Sequence, residues 1–280
     1  MIASARLLLV AAALTTLAAC NREREVERPA APAPVAATET LADAAAPMAF
    51  ESKTPWATVK LALPPALKEQ PDLHARLYAD EVRKLRQFAE GAQADRTEAG
   101  SDSSLPTYEK TIDIGLAAET GKLFSLKRTD FDYSGGAHPN TLTSGVLWDK
   151  ALKRTLGPAD LFRKGADLSV LDQALCSAIN TAKRARVPDS AVVTLGGKDW
   201  SCPRAIDTAF VLTPGTTPGK AGGLTFLIGP YQVGPYSDGA YEIVVPAALF
   251  RNLLATAYVD EFAGQPAKVG DVTPKPRPAA

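Results

Sequence analysis

The chain has 280 residues, with 31 Lys and Arg against 31 Asp and Glu, two His and three Cys. This balance lacks the positive excess that a nucleic-acid backbone demands, so no nucleic-acid partner is expected. Two histidines are too few for a multi-histidine metal centre, and neither a metal nor a cofactor is expected.

The N-terminus carries a processing signal. Arg6 precedes an apolar run from Leu7 to Ala19, which Leu17-Ala18-Ala19-Cys20 closes. The run is far shorter than the roughly 20 residues a spanning helix needs, and it fits the apolar part of a secretory signal. Small residues just ahead of a cysteine mark Cys20 as the lipid-modified N-terminus of a lipoprotein, with residues 1–20 as its signal peptide and lipobox. Asn21 rather than Asp favours the outer membrane over the inner, and the body is expected to face the periplasm. Residues 21–52, rich in Ala and Pro after an Arg/Glu-rich start, read as a disordered tether with a reach of about 30 Å.

The body is expected to be α+β, as two small mixed subdomains over 53–134 and 135–261, each an antiparallel sheet packed by one or two helices. In the first, Trp56–Leu63 is a strand candidate. A helix starting near Pro71 places Leu73, Leu77, Tyr78, Val82, Leu85, Phe88 and Ala89 on one face. His74 falls on its polar flank and is expected to be exposed. Residues 91–104 read as a loop. Tyr108–Ala118 and Lys122–Tyr133 then alternate like the arms of a hairpin.

The second part opens at Gly135-Gly136. Thr141–Trp148 reads as a strand, and Arg154–Phe162 as a strand end turning into a helix. Leu168, Leu171, Leu175 and Ile179 mark an amphipathic helix. Three strands follow at 209–213, 224–228 and 240–245, and Pro246 suits the first turn of a last helix. Residues 262–280 read as a disordered tail. With Cys20 spent on lipid, Cys176 and Cys202 remain as an even pair. In an oxidising compartment they are expected to form a disulfide closing 27 residues.

No H-E-x-x-H or G-x-S-x-G motif is present. Residues 215–221 imitate a phosphate loop, but Pro214 stands where its first Gly belongs and Ala221 where Ser or Thr would hold magnesium. They read as a hairpin loop, and no nucleotide is expected. His138, after two glycines and before Pro139, sits at a tight crossover, either as a structural residue or as a ligand contact. Asp130 and Asp132 alternate with Phe131 and Tyr133, so both carboxylates share one strand face. Such a pair serves some glycosidases and more often is only a wet surface. Tyr231, Tyr236 and Tyr241, interleaved with Pro230 and Pro235, make a candidate aromatic patch for glycan or protein. His138, Asp132, Tyr133, Tyr231, Tyr236 and Tyr241 are therefore the candidate ligand contacts, and no catalytic residue is assigned.

Tyr133-Ser-Gly-Gly-Ala-His-Pro139, Leu156-Gly-Pro-Ala-Asp-Leu-Phe162, Phe210-Val-Leu-Thr213, Leu224-Thr-Phe226 and Pro230-Tyr-Gln-Val-Gly-Pro-Tyr236 with Gly239 occur in that order. They resemble the RsiV-type extracytoplasmic domain, formally of unknown function, and residues 53–134 resemble the smaller α+β domain that commonly precedes it. The resemblance implies two contexts: an anti-sigma-factor protein whose outer part is a lysozyme receptor, or a peptidoglycan deacetylase with a separate catalytic domain. Neither a spanning helix nor that catalytic domain is recognisable here. The expectation is a lipid-anchored module that binds peptidoglycan or a lysozyme-like protein. The alternatives are a peptidoglycan-modifying enzyme (or its accessory subunit) and a structural partner in an envelope complex.

Overall fold

The computed structural model describes residues 46–100 and 105–274. Cys20, the signal segment, the tether up to residue 45 and the tail from 275 lie outside these residues. Six strands form one sheet in the order β1 (Ala49–Lys53), β2 (Ala57–Ala62), β3 (Tyr108–Glu119), β4 (Leu123–Tyr133), β5 (Asn140–Asp149) and β6 (Arg154–Leu156). β2 and β3 run parallel, joined through helix α1 (Pro71–Glu98), and every other pair is antiparallel. A second, antiparallel sheet holds β7 (Phe210–Pro214), β8 (Ala221–Ile228), β9 (Tyr241–Pro246) and β10 (Gly270–Asp271) in the order β10-β9-β8-β7. A short helix α2 (Pro158–Leu161) and the longer α3 (Ser169–Arg186) complete the α+β fold.

Two cores lie on opposite faces of the long sheet. On one, Leu73, Val82 and Leu85 of α1 pack onto Val59, Leu61, Ile112, Ile114, Phe124, Leu126 and Trp148. The strand period of two sends Leu123 and Leu147 the other way. There they join Leu171, Leu175 and Ile179 of α3 and the apolar row Leu224, Phe226 and Ile228 of β8. The sheets come within backbone distance of each other. Leu212 N donates to the buried Ser125 Oγ at 3.0 Å, and a Cβ at Gly145 would stand 1.8 Å from the Phe210 carbonyl oxygen. Glu261 locks the β3–β4 turn by accepting from Thr120 Oγ1 at 2.6 Å and Lys122 N at 2.7 Å.

Several expectations are corrected. The tether stops earlier than residue 52, because Ala49–Lys53 pairs along β2 and Phe50 packs against the first core. His74 is buried, 2 % exposed, because the chain entering β1 crosses it. A carbonyl can only accept, so His74 Nε2 donates to Pro47 O at 3.1 Å. α1 continues through Gly91 to Glu98, its last turns held by Ala92 in the interior and by Arg96, which donates to Leu105 O at 2.7 Å. The sheet also runs across the junction expected at 134/135, since β5 and β6 add to β4 rather than opening a separate subdomain.

The expected last helix is replaced by two 3-10 turns, Ala247–Leu249 and Arg251–Leu253. Between them Phe250, at φ −136°, turns its ring inward against Phe162 and Phe262 and interrupts the helix. Residues 262–274 are ordered by contact rather than tail-like: β10 pairs with Ile243 and Val244, and Val272 N donates to Glu242 O at 2.9 Å. Residues 215–220 form the β7–β8 hairpin loop, closed by Gly215 N donating to Lys220 O.

Two outcomes follow for stability. Gly145→Ala is expected to cost about 3 kcal/mol, because the methyl group meets a backbone atom that cannot move aside; a shifted urea midpoint at unchanged slope is the readout. Tyr258 donates from its buried hydroxyl to Asp149 Oδ2 at 2.9 Å, and burial with that carboxylate pushes the phenol up from 10.0 to about 12. A folded value above the unfolded one gives stability that is complete below pH 10 and is lost as pH rises through 12. Melting temperatures across that window should fall more steeply for the parent chain than for Tyr258→Phe.

Candidate functional site

The 134–139 turn between β4 and β5 meets the 229–240 loop between β8 and β9. Gly135 and Gly136 take φ values of 87° and 100°, a region barred to most residues, and this tight path carries Ala137 and His138 outward. The His138 ring stacks on Tyr236, with centroids 4.0 Å apart and planes 19° apart. One carbonyl fixes the pair: Pro139 O accepts from His138 Nδ1 at 3.0 Å and from Tyr236 Oη at 2.9 Å. With Nδ1 spent on this carbonyl, Nε2 makes no hydrogen bond among the described residues. Tyr231 tilts against Tyr236 at 5.4 Å and is 57 % exposed, at a φ of 65° that is uncommon outside glycine.

The last turn of α3 holds this loop from beneath. Lys183 Nζ, buried, donates to Val233 O at 2.5 Å and lies 3.4 Å from Asp238 Oδ2. Gly234 leaves room for that pair, since a Cβ there would stand 2.3 Å from the Asp238 carboxylate. Arg186 Nη1 donates to Asp238 O and Ala240 O, while Nε reaches Asp271 at 2.9 Å and Nη2 reaches Thr273 Oγ1 at 2.7 Å.

Three of the expected contact residues thus come together: His138, Tyr231 and Tyr236. Tyr133 supports the turn, its hydroxyl donating to Gly136 O at 3.4 Å. Tyr241 is a correction. Its ring is 1 % exposed under the Arg186 guanidinium, 3.7 Å above the centroid, so it offers a ligand no free face. Asp132 departs as well: it belongs with Asp130 on the α1 face of the sheet, around Lys110 Nζ, which stands 2.7 Å from Asp130 and 3.8 Å from Asp132. Arg128 bridges Asp130 at 2.8 Å and the buried Glu81 of α1 at 3.1 Å. Burial opposes the Arg128 charge, but Glu81 and Asp130 outweigh it and hold the guanidinium above its usual value. This network pairs the carboxylates with cations and ties α1 to the sheet.

Lys183, Arg186 and Leu142 escaped the sequence analysis. A signal for Lys183 existed: Leu171, Leu175 and Ile179 recur every four residues, and the next step of that stripe is Lys183. A large cavity of about 680 Å³ lies elsewhere, around Phe162–Ser169 and Arg204. There the helix start is already served by Asp167, whose carboxylate accepts from Ser169 N and Oγ, bonds that hold its pKa below the ordinary value. Among the described residues no group of three His, Cys, Asp or Glu is placed to hold a metal ion. No helix among them is long and apolar enough to cross a membrane.

Cys176 of α3 and Cys202 form the expected disulfide, with Cα atoms 5.3 Å apart. Asn180, one turn on, holds the same segment through Val193 in both directions, at 2.8 and 2.9 Å.

Residues 159–248 match the family described as "Protein of unknown function (DUF3298)", a stretch that runs from α2 through α3 and the 229–240 loop to the end of β9. The structure is similar to that of a DUF3298 family member from Bacteroides fragilis, at 17 % identity and a TM-score of 0.50, covering 76 % of this chain and 95 % of that one. It is also similar to a DUF3298 family protein from Pseudomonas aeruginosa PAO1, at 16 % identity and a TM-score of 0.51, covering 78 % and 94 %. At such identities the likeness establishes the fold. No curated protein matches the chain.

Opening the disulfide frees a 26-residue separation and is expected to cost roughly 3–4 kcal/mol. Paired Cys176→Ser and Cys202→Ser should lower the melting temperature to the value the parent shows in reductant, with no further loss when reductant is added.

Proposed function

We propose that the chain is a non-catalytic, lipid-anchored protein of the cell envelope that binds a cell-wall component or a wall-active protein of the lysozyme kind. The observation that carries this reading is the meeting of two segments about ninety residues apart in an exposed aromatic cluster, His138, Tyr236 and Tyr231, on a loop held from beneath by α3. A rigid, solvent-facing aromatic group is how proteins present contact area at low entropic cost. The carboxylates that would serve an enzyme, Asp130 and Asp132, sit instead in ion pairs with Lys110 and Arg128. Lipidation at Cys20 and a periplasm-facing position are supported by the signal-like N-terminus and by a disulfide that belongs to an oxidising compartment.

The full chain, purified in detergent, is expected to be retained on purified sacculi or on immobilised lysozyme, and to release no muropeptides from the sacculi. Tyr231→Ala should weaken that retention about tenfold while leaving the melting temperature unchanged. Retention on neither surface, or turnover of the wall by the chain alone, overturns the reading. Labelling with radioactive palmitate should be lost in Cys20→Ser.

A further inference from the structure

The exposed face of the 229–240 loop is chemically uniform. Gly229 N donates to Gln232 Oε1 at 2.7 Å, closing a turn across Pro230 and Tyr231. The cations beneath the loop are spent inward: Lys183 on Val233 O and Asp238, Arg186 on the loop carbonyls and on Asp271. What faces solvent is the Tyr231 ring, the edge of the His138–Tyr236 stack, Pro139, Gln232 and Leu142, which is 50 % exposed and flanks Gly229. This surface is aromatic, with a phenol hydroxyl and an imidazole nitrogen at its margin, and the carboxylates near it are paired: Asp130, opposite Leu142 in the β4–β5 register, with Lys110 and Arg128, and Asp238 with Lys183.

We infer that this face is a platform for the uncharged sugar rings of a glycan strand, stacked on Tyr231. A pyranose has an apolar C–H face, which matches an aromatic ring, and equatorial hydroxyl and amide groups, which match neutral donors and acceptors at the rim. A strongly cationic protein would find Asp130, Asp132 and Asp238 already matched by Lys110, Arg128 and Lys183, and an anionic peptide stem would find those cations spent. The stacked His138 and the bond from Tyr236 to Pro139 O fix the ring beside which the sugar lies, so little ordering is left to binding. The assignment rests on the binding role proposed above and narrows its ligand to the glycan.

The test is calorimetry and ligand-observed NMR with the full chain in detergent, using the neutral N-acetylglucosamine tetramer and its de-N-acetylated, cationic counterpart. The neutral tetramer should bind with a dissociation constant of about 1 mM or tighter, as suits a shallow open site, and the cationic one more weakly. Tyr231→Ala should weaken the neutral tetramer about tenfold, and Tyr231→Trp, which keeps a stacking face, should restore it. Unchanged binding in Tyr231→Ala, or equal binding of both tetramers, overturns the assignment. If neither tetramer binds while sacculi or lysozyme are still retained through Tyr231, the glycan assignment falls and the binding role stands. If retention is absent as well, both fall.

Discussion

The last turn of α3 is where the parts of the C-terminal half are joined. Arg186 spreads its donors over Asp238 O, Ala240 O, Asp271 and Thr273, and its planar face covers Tyr241. One guanidinium thereby links a helix end, the loop that presents the aromatic cluster, the first residue of β9 and the short strand β10. Lysine could not replace it, because an ammonium has three donors and no plane to stack. Lys183, one turn earlier, adds a buried charge directed at Val233 O. Cations also suit this position electrostatically, since the end of a helix gathers unpaired carbonyls.

Two sorts of order coexist in the molecule. The α1 face of the long sheet begins as a hydrocarbon core at Phe124 and Leu126 and continues, two residues at a time, into Arg128, Asp130 and Asp132. The charges there are matched among Glu81, Arg128, Asp130 and Lys110, so alternation along one strand sets both the greasy and the ionic part of the interface. On the opposite face the approach to the second sheet is so close that only glycine at 145 and a small hydroxyl at 125 are accommodated. The 134–139 turn caps the far end of this strand pair, so its position follows from the register of β4 and β5.

Patterns of local period were legible from the sequence. The α1 stripe, the β3–β4 hairpin and the α3 stripe emerge from spacing, because each buries one face, while β7, β8 and β9 read as short apolar runs, β8 being buried throughout. What was not legible depends on partners distant in the chain. β1 is a short run of mixed polarity whose pairing with β2 alone makes it a strand, and β10 is two residues long. His74 looks solvent-facing by period, yet Pro47 crosses it. In the site, the two motifs were visible separately, while their meeting, the burial of Tyr241 and the pairing of Asp132 with Lys110 needed the tertiary structure.

The shared acceptor of the cluster is a main-chain oxygen, Pro139 O. No side-chain replacement can delete it, so identity at 139 bears on this bond only through the extended path that proline imposes on His138. The two rings that converge on it, those of His138 and Tyr236, are each other's support. Removing one leaves its mate without a stacking neighbour, so their contributions cannot be summed as if independent. The histidine and the tyrosine therefore act as one energetic unit, although the chain places them in different segments.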